Sequence, residues 1–179
     1  MENVQKWTFS IAVSISPNSI IALKRLILLA SRKSYGKVAD NLRFELDTLP
    51  FHFTISSSKD TLSNITKVME NFTFSPFEVV VNGIGVMGGK EKGYVLYFKI
   101  AKNENMDNIR KYAYTFLGNP SYLPERHLNH MTINISRDRQ QTAILKQALS
   151  IVKPFTMTIN SLGLYKIWPG ELKSIYELV

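Results

Sequence analysis

An internal repeat constrains this chain more than any other feature of its sequence. The segment from His52 to Gly85 aligns without a gap to the segment from His130 to Gly163, 78 positions further on. Unrelated sequences of this length would share about two residues, and these two share nine. The repeat therefore predicts a duplicated structural unit. The identical positions in the first copy are His52, Thr54, Ile55, Ser58, Asp60, Pro76, Phe77, Asn82 and Gly85.

Each copy opens with the same four-residue motif, which is His, an apolar residue, Thr and an apolar residue, at 52–55 and at 130–133. In a β-strand, alternate side chains point to opposite faces. The His and Thr of each motif are therefore predicted to share one face, while the apolar residues (Phe53, Ile55, Met131 and Ile133) point into a core. Two imidazoles suit a reaction that removes one proton and delivers another.

The hydrophobic periodicity predicts the same order of elements in both halves: strand, helix, loop, motif strand, helix, strand. Asp60 and Asp138 are predicted to cap the helices that follow the motif strands. Phe155 to Ile167 is predicted to form one strand, and Asn82 and Asn160 to mark a bulge or turn. No flexible linker separates the halves. We therefore expect one domain, 1–179, with pseudo-symmetric lobes at about 7–87 and 94–179.

Composition narrows the class of partner. The net charge of +8 favours an anionic partner such as RNA, a nucleotide or a phosphate ester. The positive charges are scattered along the chain, which argues against a dedicated duplex-binding helix. The longest apolar segment, 20–30, contains Lys24 and Arg25 and is too short to cross a bilayer. The chain has no cysteine, which fits a cytoplasmic protein without disulfides. We expect a monomer that does not bind membranes.

The paired motifs, their spacing and the order of elements resemble the 2H phosphoesterase superfamily, also called 2′-5′ RNA ligase-like or LigT-like phosphodiesterases. The resemblance spans the whole chain and implies an α+β fold. It further implies a bilobal duplicated structure, with two antiparallel sheets flanked by helices around a central cleft that carries both motifs. It implies no metal and no cofactor. The substrates it implies are a 2′,3′-cyclic phosphate, a 2′-5′ linked oligonucleotide, an RNA end or a cyclic dinucleotide.

By this resemblance, His52 and His130 are the general base and general acid, in an order that the sequence leaves open. Thr54 and Thr132 are expected to donate hydrogen bonds to the non-bridging phosphate oxygens. Degradation of a signalling nucleotide, and hence interference with nucleotide-based immune signalling, is one role that this chemistry allows.

Several other side chains are candidates for substrate binding. Ser10 and Thr8 lie on the polar face of the first strand, and Tyr176 lies in the last strand. Arg126 precedes the second motif and could pair with a phosphate. Aromatic residues in loops could stack on a base, namely Tyr35, Tyr122 and Trp168. For each of these residues, ordinary packing or solvation is the simpler interpretation.

Three alternatives remain open at this stage. His52, His127 and His130 could form a zinc site, although that account gives the repeated Thr no role. The chain could instead be a non-catalytic RNA- or nucleotide-binding protein. It could also be a 2′-5′ RNA ligase, because joining RNA ends through a 2′-5′ bond is the reverse of the same chemistry.

Overall fold

The computed structural model describes residues 9–14, 21, 23–25, 27–29, 52–166 and 171–178. Residues 21, 23–25 and 27–29 are helical and are called α1. The remaining helices are α2 (Leu62–Glu70), α3 (Glu104–Leu117) and α4 (Arg139–Leu149), with a 3₁₀ turn at Pro120–Tyr122. The strands are β1 (Phe9–Ser14), β2 (His52–Ser58), β3 (Phe77–Gly89), β4 (Gly93–Ile100), β5 (His130–Ser136), β6 (Phe155–Ile159), β7 (Ser161–Lys166) and β8 (Glu171–Glu177).

The strands form two antiparallel sheets. The order is β2-β1-β7-β8 in the first sheet, called here the His52 sheet, and β5-β4-β3-β6 in the second, called the His130 sheet. Helix α4 packs against the His130 sheet, and α3 packs against β2. The apolar faces of both sheets and the helices contribute to a single core cluster. The predicted α+β architecture with two antiparallel sheets is confirmed.

The helices that follow the motif strands begin with different caps. Asp138 accepts hydrogen bonds from the backbone N–H of Gln140 (2.8 Å) and Gln141 (3.1 Å), as predicted. The prediction for Asp60 is wrong by one residue, because Thr61 caps α2 and accepts from the Asn64 N–H. Asp60 accepts instead from the Thr61 N–H and the Asn64 side chain. Its carboxylate still satisfies donors at this end of the helix.

The two sheets do not follow the two halves of the sequence. The His52 sheet combines β1 and β2 with β7 and β8 from the end of the chain, whereas the His130 sheet combines β4 and β5 with β3 from the first half. The last strand of each repeat thus pairs in the sheet of the other repeat. The predicted lobes at about 7–87 and 94–179 therefore do not coincide with the sheets. The single strand predicted at 155–167 is two strands, because the chain passes from one sheet to the other at Asn160.

Equivalent strands of the two sheets pair in the same register. Thr54 pairs with Ala12, which pairs with Gly163, and Thr132 pairs with Tyr97, which pairs with Gly85. Each motif strand also carries an irregularity at the same place, where one extra residue follows the Thr. These extra residues, Ile55 and Ile133, are 0% and 2% exposed. The register therefore shows the duplication directly. Such bulges are features retained for geometry, since they redirect a strand and its side chains.

The two copies also pair with each other. The first half of β3 pairs antiparallel with β6, from Phe77 opposite Ile159 to Val81 opposite Phe155. Val79 and Met157, which are equivalent positions of the repeat, face each other at the centre. The pairing is thus symmetric about this point, as in a two-fold interface between identical subunits. Asn82 forms the bulge that ends this segment, as predicted from the repeated asparagine.

Candidate functional site

Both motif strands lie at the edges of their sheets, and these edges adjoin. β2 is the outer strand of the His52 sheet, β5 is the outer strand of the His130 sheet, and the two strands contact each other. Of the predicted core residues, Phe53, Ile55 and Met131 are 0% exposed and Ile133 is 2% exposed. Thr54, His130 and Thr132 are half-buried, as the alternation predicts for the opposite face. The fold thus brings the two motifs together from positions 78 apart in the sequence.

The two motif histidines occupy equivalent positions, each at the first residue of its strand. His52 pairs with Ser14 in the His52 sheet, and His130 pairs with Lys99 in the His130 sheet. The structure describes the backbone of His52 but not its side chain. The distance between the two imidazoles therefore lies outside the described part of the chain.

The imidazole of His130 is held by a hydrogen bond to the backbone. Its Nδ1 lies 2.7 Å from the carbonyl oxygen of Leu128. A carbonyl only accepts, so Nδ1 carries a proton and, in the neutral ring, Nε2 is the nitrogen that can accept one. The edge of the Tyr97 ring packs against the imidazole, with centroids 5.5 Å apart. The hydrogen bond thus fixes the tautomer and the orientation of the ring.

A buried arginine connects the two motif strands. Arg110 on α3 is 1% exposed. Its Nη2 donates to the Thr54 carbonyl at 2.7 Å and its Nη1 to the Ile55 carbonyl at 2.9 Å. Its Nε donates to the side-chain oxygen of Asn129, directly before His130, at 3.1 Å. Burial lowers the pKa of Arg110 to about 10, opposed by Tyr122 and Asp107, so the guanidinium stays charged at neutral pH. The residue satisfies the open edge of β2 and ties it to the start of β5.

The segment before the second motif docks on the same edge. The Asn119 side chain donates to the Ser57 carbonyl at 2.9 Å, and the Tyr122 hydroxyl lies 2.9 Å from the Ser57 hydroxyl. The Tyr122 ring stacks on His127, with centroids 4.9 Å apart. One face of Tyr122, a candidate for stacking on a base, is therefore occupied by His127, and its hydroxyl holds the loop in place.

His127 differs from His130 in its surroundings. Its Nε2 is buried and has no hydrogen-bond partner among the described residues. Burial lowers the pKa of His127 to about 3, with further lowering by Arg110 and His130 and an opposing backbone hydrogen bond at Ser121. The ring is therefore neutral at any physiological pH. Its centroid lies 5.5 Å from that of His130, so it packs beside the second motif.

The other predicted substrate contacts are scattered. Arg126 is exposed and its backbone N–H donates to the Leu123 carbonyl. Tyr176 lies in β8, opposite the fully buried Leu162, and packs against the core, which favours a packing role. The backbone of Ser10 lies in β1 between Ser57 and Tyr165, and its side chain is outside the described residues. Thr8, Tyr35 and Trp168 also lie outside the described residues.

Sequence reasoning missed residues that surround the second motif. Tyr97 and Lys99 share the open face of the His130 sheet with Thr132 and His130, because each pair lies directly opposite in the strand register. The Tyr97 ring rests on Gly85, where any side chain would collide with it. Gly85 is repeated at Gly163, and this repetition could have indicated that an aromatic ring lies close to the backbone at both positions. Arg110 gave no such signal, because charged residues on helices are usually solvated.

No group of three or more His, Cys, Asp or Glu side chains that could hold a metal ion is present among the residues whose side chains are described. The zinc alternative includes His52, whose side chain is not among them. Within the described ranges, no helix is long and apolar enough to span a membrane.

Two four-stranded antiparallel sheets, joined at their motif edges and related by a repeat, define a LigT-like fold. Solved structures of that fold match the chain over nearly its full length. Escherichia coli LigT in its apo form matches with a TM-score of 0.61 and 12% identity, over 97% of this chain and 98% of LigT. The protein TT0787 of Thermus thermophilus gives 0.60 and 14%, over 96% and 97% of the two chains. Kluyveromyces marxianus Usb1 gives 0.57 and 8%, over 98% and 99%.

These likenesses confirm the fold that the sequence resemblance implied. At identities of 8–14% they concern the fold alone. No protein-family model matches the sequence, and no curated protein sequence matches it. LigT has been crystallised with NADP⁺, ATP, 3′-AMP and phosphate.

Proposed function

We propose that this chain is a metal-independent phosphodiesterase of the 2H type. The observation that carries the proposal is the equivalence of the two motifs, which occupy the same register, with the same bulge, on adjoining strands. Chemistry at a phosphodiester needs one group to deprotonate the nucleophile and another to protonate the leaving oxygen. Two imidazoles on facing edges supply both groups.

In this proposal His130 acts through Nε2, because its Nδ1 is engaged with the Leu128 carbonyl. His52 acts from the equivalent position of the other sheet. Thr54 and Thr132 donate to the non-bridging oxygens, where charge grows in the transition state. Which histidine is the base depends on the direction in which the substrate binds.

The substrate is proposed to be a nucleotide or an RNA end. The chain is basic, and LigT, which shares its fold, has been crystallised with ATP and 3′-AMP. The candidate substrates are a 2′,3′-cyclic phosphate, a 2′-5′ linked oligonucleotide and a cyclic dinucleotide. The last two serve as signalling nucleotides, and their cleavage would counter nucleotide-based immune signalling. A cytoplasmic location and a monomeric state stay predictions.

The test is turnover of these nucleotides by the purified protein, read by mass spectrometry. We expect His52→Ala and His130→Ala each to lower kcat by about 10²–10⁴-fold, with unchanged far-UV circular dichroism. We also expect Thr132→Ala to lower kcat, because it removes the hydroxyl that is proposed to donate to a non-bridging oxygen. Thr132→Ser retains this hydroxyl and serves as the matched control. Activity should survive EDTA and follow a bell-shaped pH profile.

Other outcomes identify the alternatives. Full activity in either His variant would refute the proposal. Tight nucleotide binding without turnover would identify a non-catalytic binder, and loss of activity on chelation would favour the zinc site. Accumulation of joined 2′-5′ products would identify a ligase.

A further inference from the structure

We propose that Lys99 binds a second phosphate of the substrate, next to the phosphodiester that reacts. This inference rests on the proposed function, since it assumes that the scissile phosphate lies between the two motifs. The residue is on β4, in the central part of the His130 sheet, and is not part of either motif. Lys99 would form a phosphate subsite on the wall of the cleft that the His130 sheet provides.

The strand register places Lys99 beside His130. The two residues lie directly opposite each other in the β4–β5 ladder, and no irregularity intervenes between Tyr97 and Lys99. Side chains at directly opposite positions share a face of the sheet, with Cβ atoms about 5 Å apart. Lys99 is therefore on the open face that carries His130 and Thr132.

The surroundings leave the ammonium group available. The Lys99 side chain is exposed, and no ion pair joins it to another described residue. On its other side the register neighbour is Gly83, and the Lys99 Cδ would lie 3.8 Å from a Cβ at that position. The aliphatic stem thus runs over a glycine, which leaves space above the sheet for a bound anion.

The position favours a second phosphate over the scissile one. β5 is the outer strand that adjoins β2, and β4 lies on its other side. Lys99 is therefore one strand spacing, about 4.8 Å, further from the His52 motif than His130 is. The scissile phosphate has to lie between the two motifs, whereas an anion further along the His130 wall is nearer to Lys99 than to either motif.

The two walls of the cleft differ in this respect. In the His130 sheet, three paired residues lie side by side across neighbouring strands, namely His130, Lys99 and Gly83. The residues at the equivalent positions of the His52 sheet are His52, Ser14 and Ser161. Of these two described sets of paired residues, one contains a cation and the other does not, so Lys99 would fix the direction in which an asymmetric substrate binds. The chemical class it selects is a nucleotide with at least two phosphates, such as an oligonucleotide or a cyclic dinucleotide. A nucleoside 2′,3′-cyclic monophosphate has no group for this subsite.

The experiment compares Lys99→Gln with Lys146→Gln, which removes the same charge from an exposed position on α4, the helix on the opposite face of the sheet. The two substrates are a 5′-phosphorylated 2′-5′ linked diadenylate and adenosine 2′,3′-cyclic monophosphate. We expect Lys99→Gln to raise KM for the diadenylate about tenfold at nearly constant kcat. The slope of log KM for the diadenylate against the logarithm of the salt concentration should become shallower by about 0.7, because one contact to a phosphate is lost. Hydrolysis of the cyclic monophosphate should stay within about twofold, and Lys146→Gln should behave as the wild type.

Equal losses on both substrates would overturn the inference, because Lys99 would then contact the reacting phosphate. Unchanged KM values would overturn it as well. If the wild type hydrolyses neither of these substrates nor a cyclic dinucleotide, the proposed function fails, and equilibrium binding of the diadenylate decides the role of Lys99. A tenfold weaker binding in Lys99→Gln alone would support the subsite, and equal binding, or no binding by the wild type, would reject it.

Discussion

His127 and His130 are three residues apart, and their surroundings give them opposite properties. His130 is half-buried, with Nδ1 hydrogen-bonded to a carbonyl, which leaves a defined tautomer. In the part of the chain that the structure describes, the buried Nε2 of His127 has no hydrogen-bond partner, and burial lowers the pKa of His127 to about 3. A histidine that cannot accept a proton within the working range cannot serve as an acid or base. At the scale of single residues, burial excludes His127 from proton transfer.

His127 should make stability depend on pH. Its pKa in the folded state, about 3, is below the unfolded value of about 6.5. Its contribution to stability is therefore present above pH 6.5 and is lost progressively as the pH falls towards 3, because the unfolded state binds the proton more tightly. We expect His127→Phe, which retains an aromatic ring against Tyr122, to lose less stability than the wild type between about pH 7.5 and pH 5. Urea unfolding at both pH values measures the difference.

Tyr122→Phe is the control for this experiment. It removes the hydroxyl that contacts Ser57 but keeps the ring on His127. It should lower the free energy of unfolding by about 1 kcal/mol at both pH values and leave the pH dependence unchanged. A pH dependence in His127→Phe equal to that of the wild type would contradict the assignment.

At the scale of elements, α3 holds the motif strands in place. β2 is an edge strand, and the carbonyls of an unpaired edge need partners when they are buried. Arg110 satisfies two of these carbonyls and reaches Asn129 at the start of β5. The donors of a guanidinium are spread over three nitrogens in a fixed plane and can serve acceptors that lie apart, whereas the three donors of an ammonium group radiate from a single nitrogen.

We therefore expect Arg110→Lys to destabilise the fold although it keeps the charge. The loss should be about 2–4 kcal/mol, because buried carbonyls would lose their donors. Lys111→Gln alters the neighbouring exposed residue of the same helix and should change stability by less than about 0.5 kcal/mol. Chemical denaturation of the two variants provides the comparison, and a wild-type midpoint for Arg110→Lys would refute the bridging role.

At the scale of the whole molecule, the exchanged last strands make the two sheets interdependent. β3 belongs to the first repeat but pairs in the sheet of the second, and β7 does the reverse. The β3–β6 pair joins the two copies along equivalent residues. Neither sheet is complete without strands from both repeats. The domain should therefore unfold as one cooperative unit.

Val79 lies at the centre of the β3–β6 pairing and is 0% exposed. It belongs to the core cluster to which both sheets contribute, so its truncation should affect both sheets. We expect Val79→Ala to cost about 2 kcal/mol and to lower the opening free energies of slowly exchanging amides in β1 and β4 by equal amounts. The neighbouring Val80 is 42% exposed on the opposite face, and Val80→Ala should cost less than about 0.5 kcal/mol. Native-state hydrogen exchange measures both. An effect confined to the His130 sheet would mean that the sheets unfold independently.

The sequence predicted the local features well where a short-range pattern encoded them. Alternation placed Phe53, Ile55, Met131 and Ile133 in the core, and the repeated asparagine predicted the bulge at Asn82. The cap at Asp60 was displaced by one residue because Thr61 and Asp60 are both good N-cap residues. The repeated asparagine also marked the break at Asn160, but the change of sheet at that point was missed, because no local pattern reveals which sheet a strand will join.

The sequence by itself determined the duplication, the two motifs and the face that each motif residue occupies. These follow from identity at a fixed spacing and from the two-residue period of a strand, which are properties of the chain alone. Only the tertiary structure decided which strands share a sheet, that the motif edges adjoin, and that Lys99, Tyr97 and Arg110 surround the motifs. The reason is physical: pairing between strands depends on the burial of both sheets together, and no local pattern specifies which distant edge a strand will join.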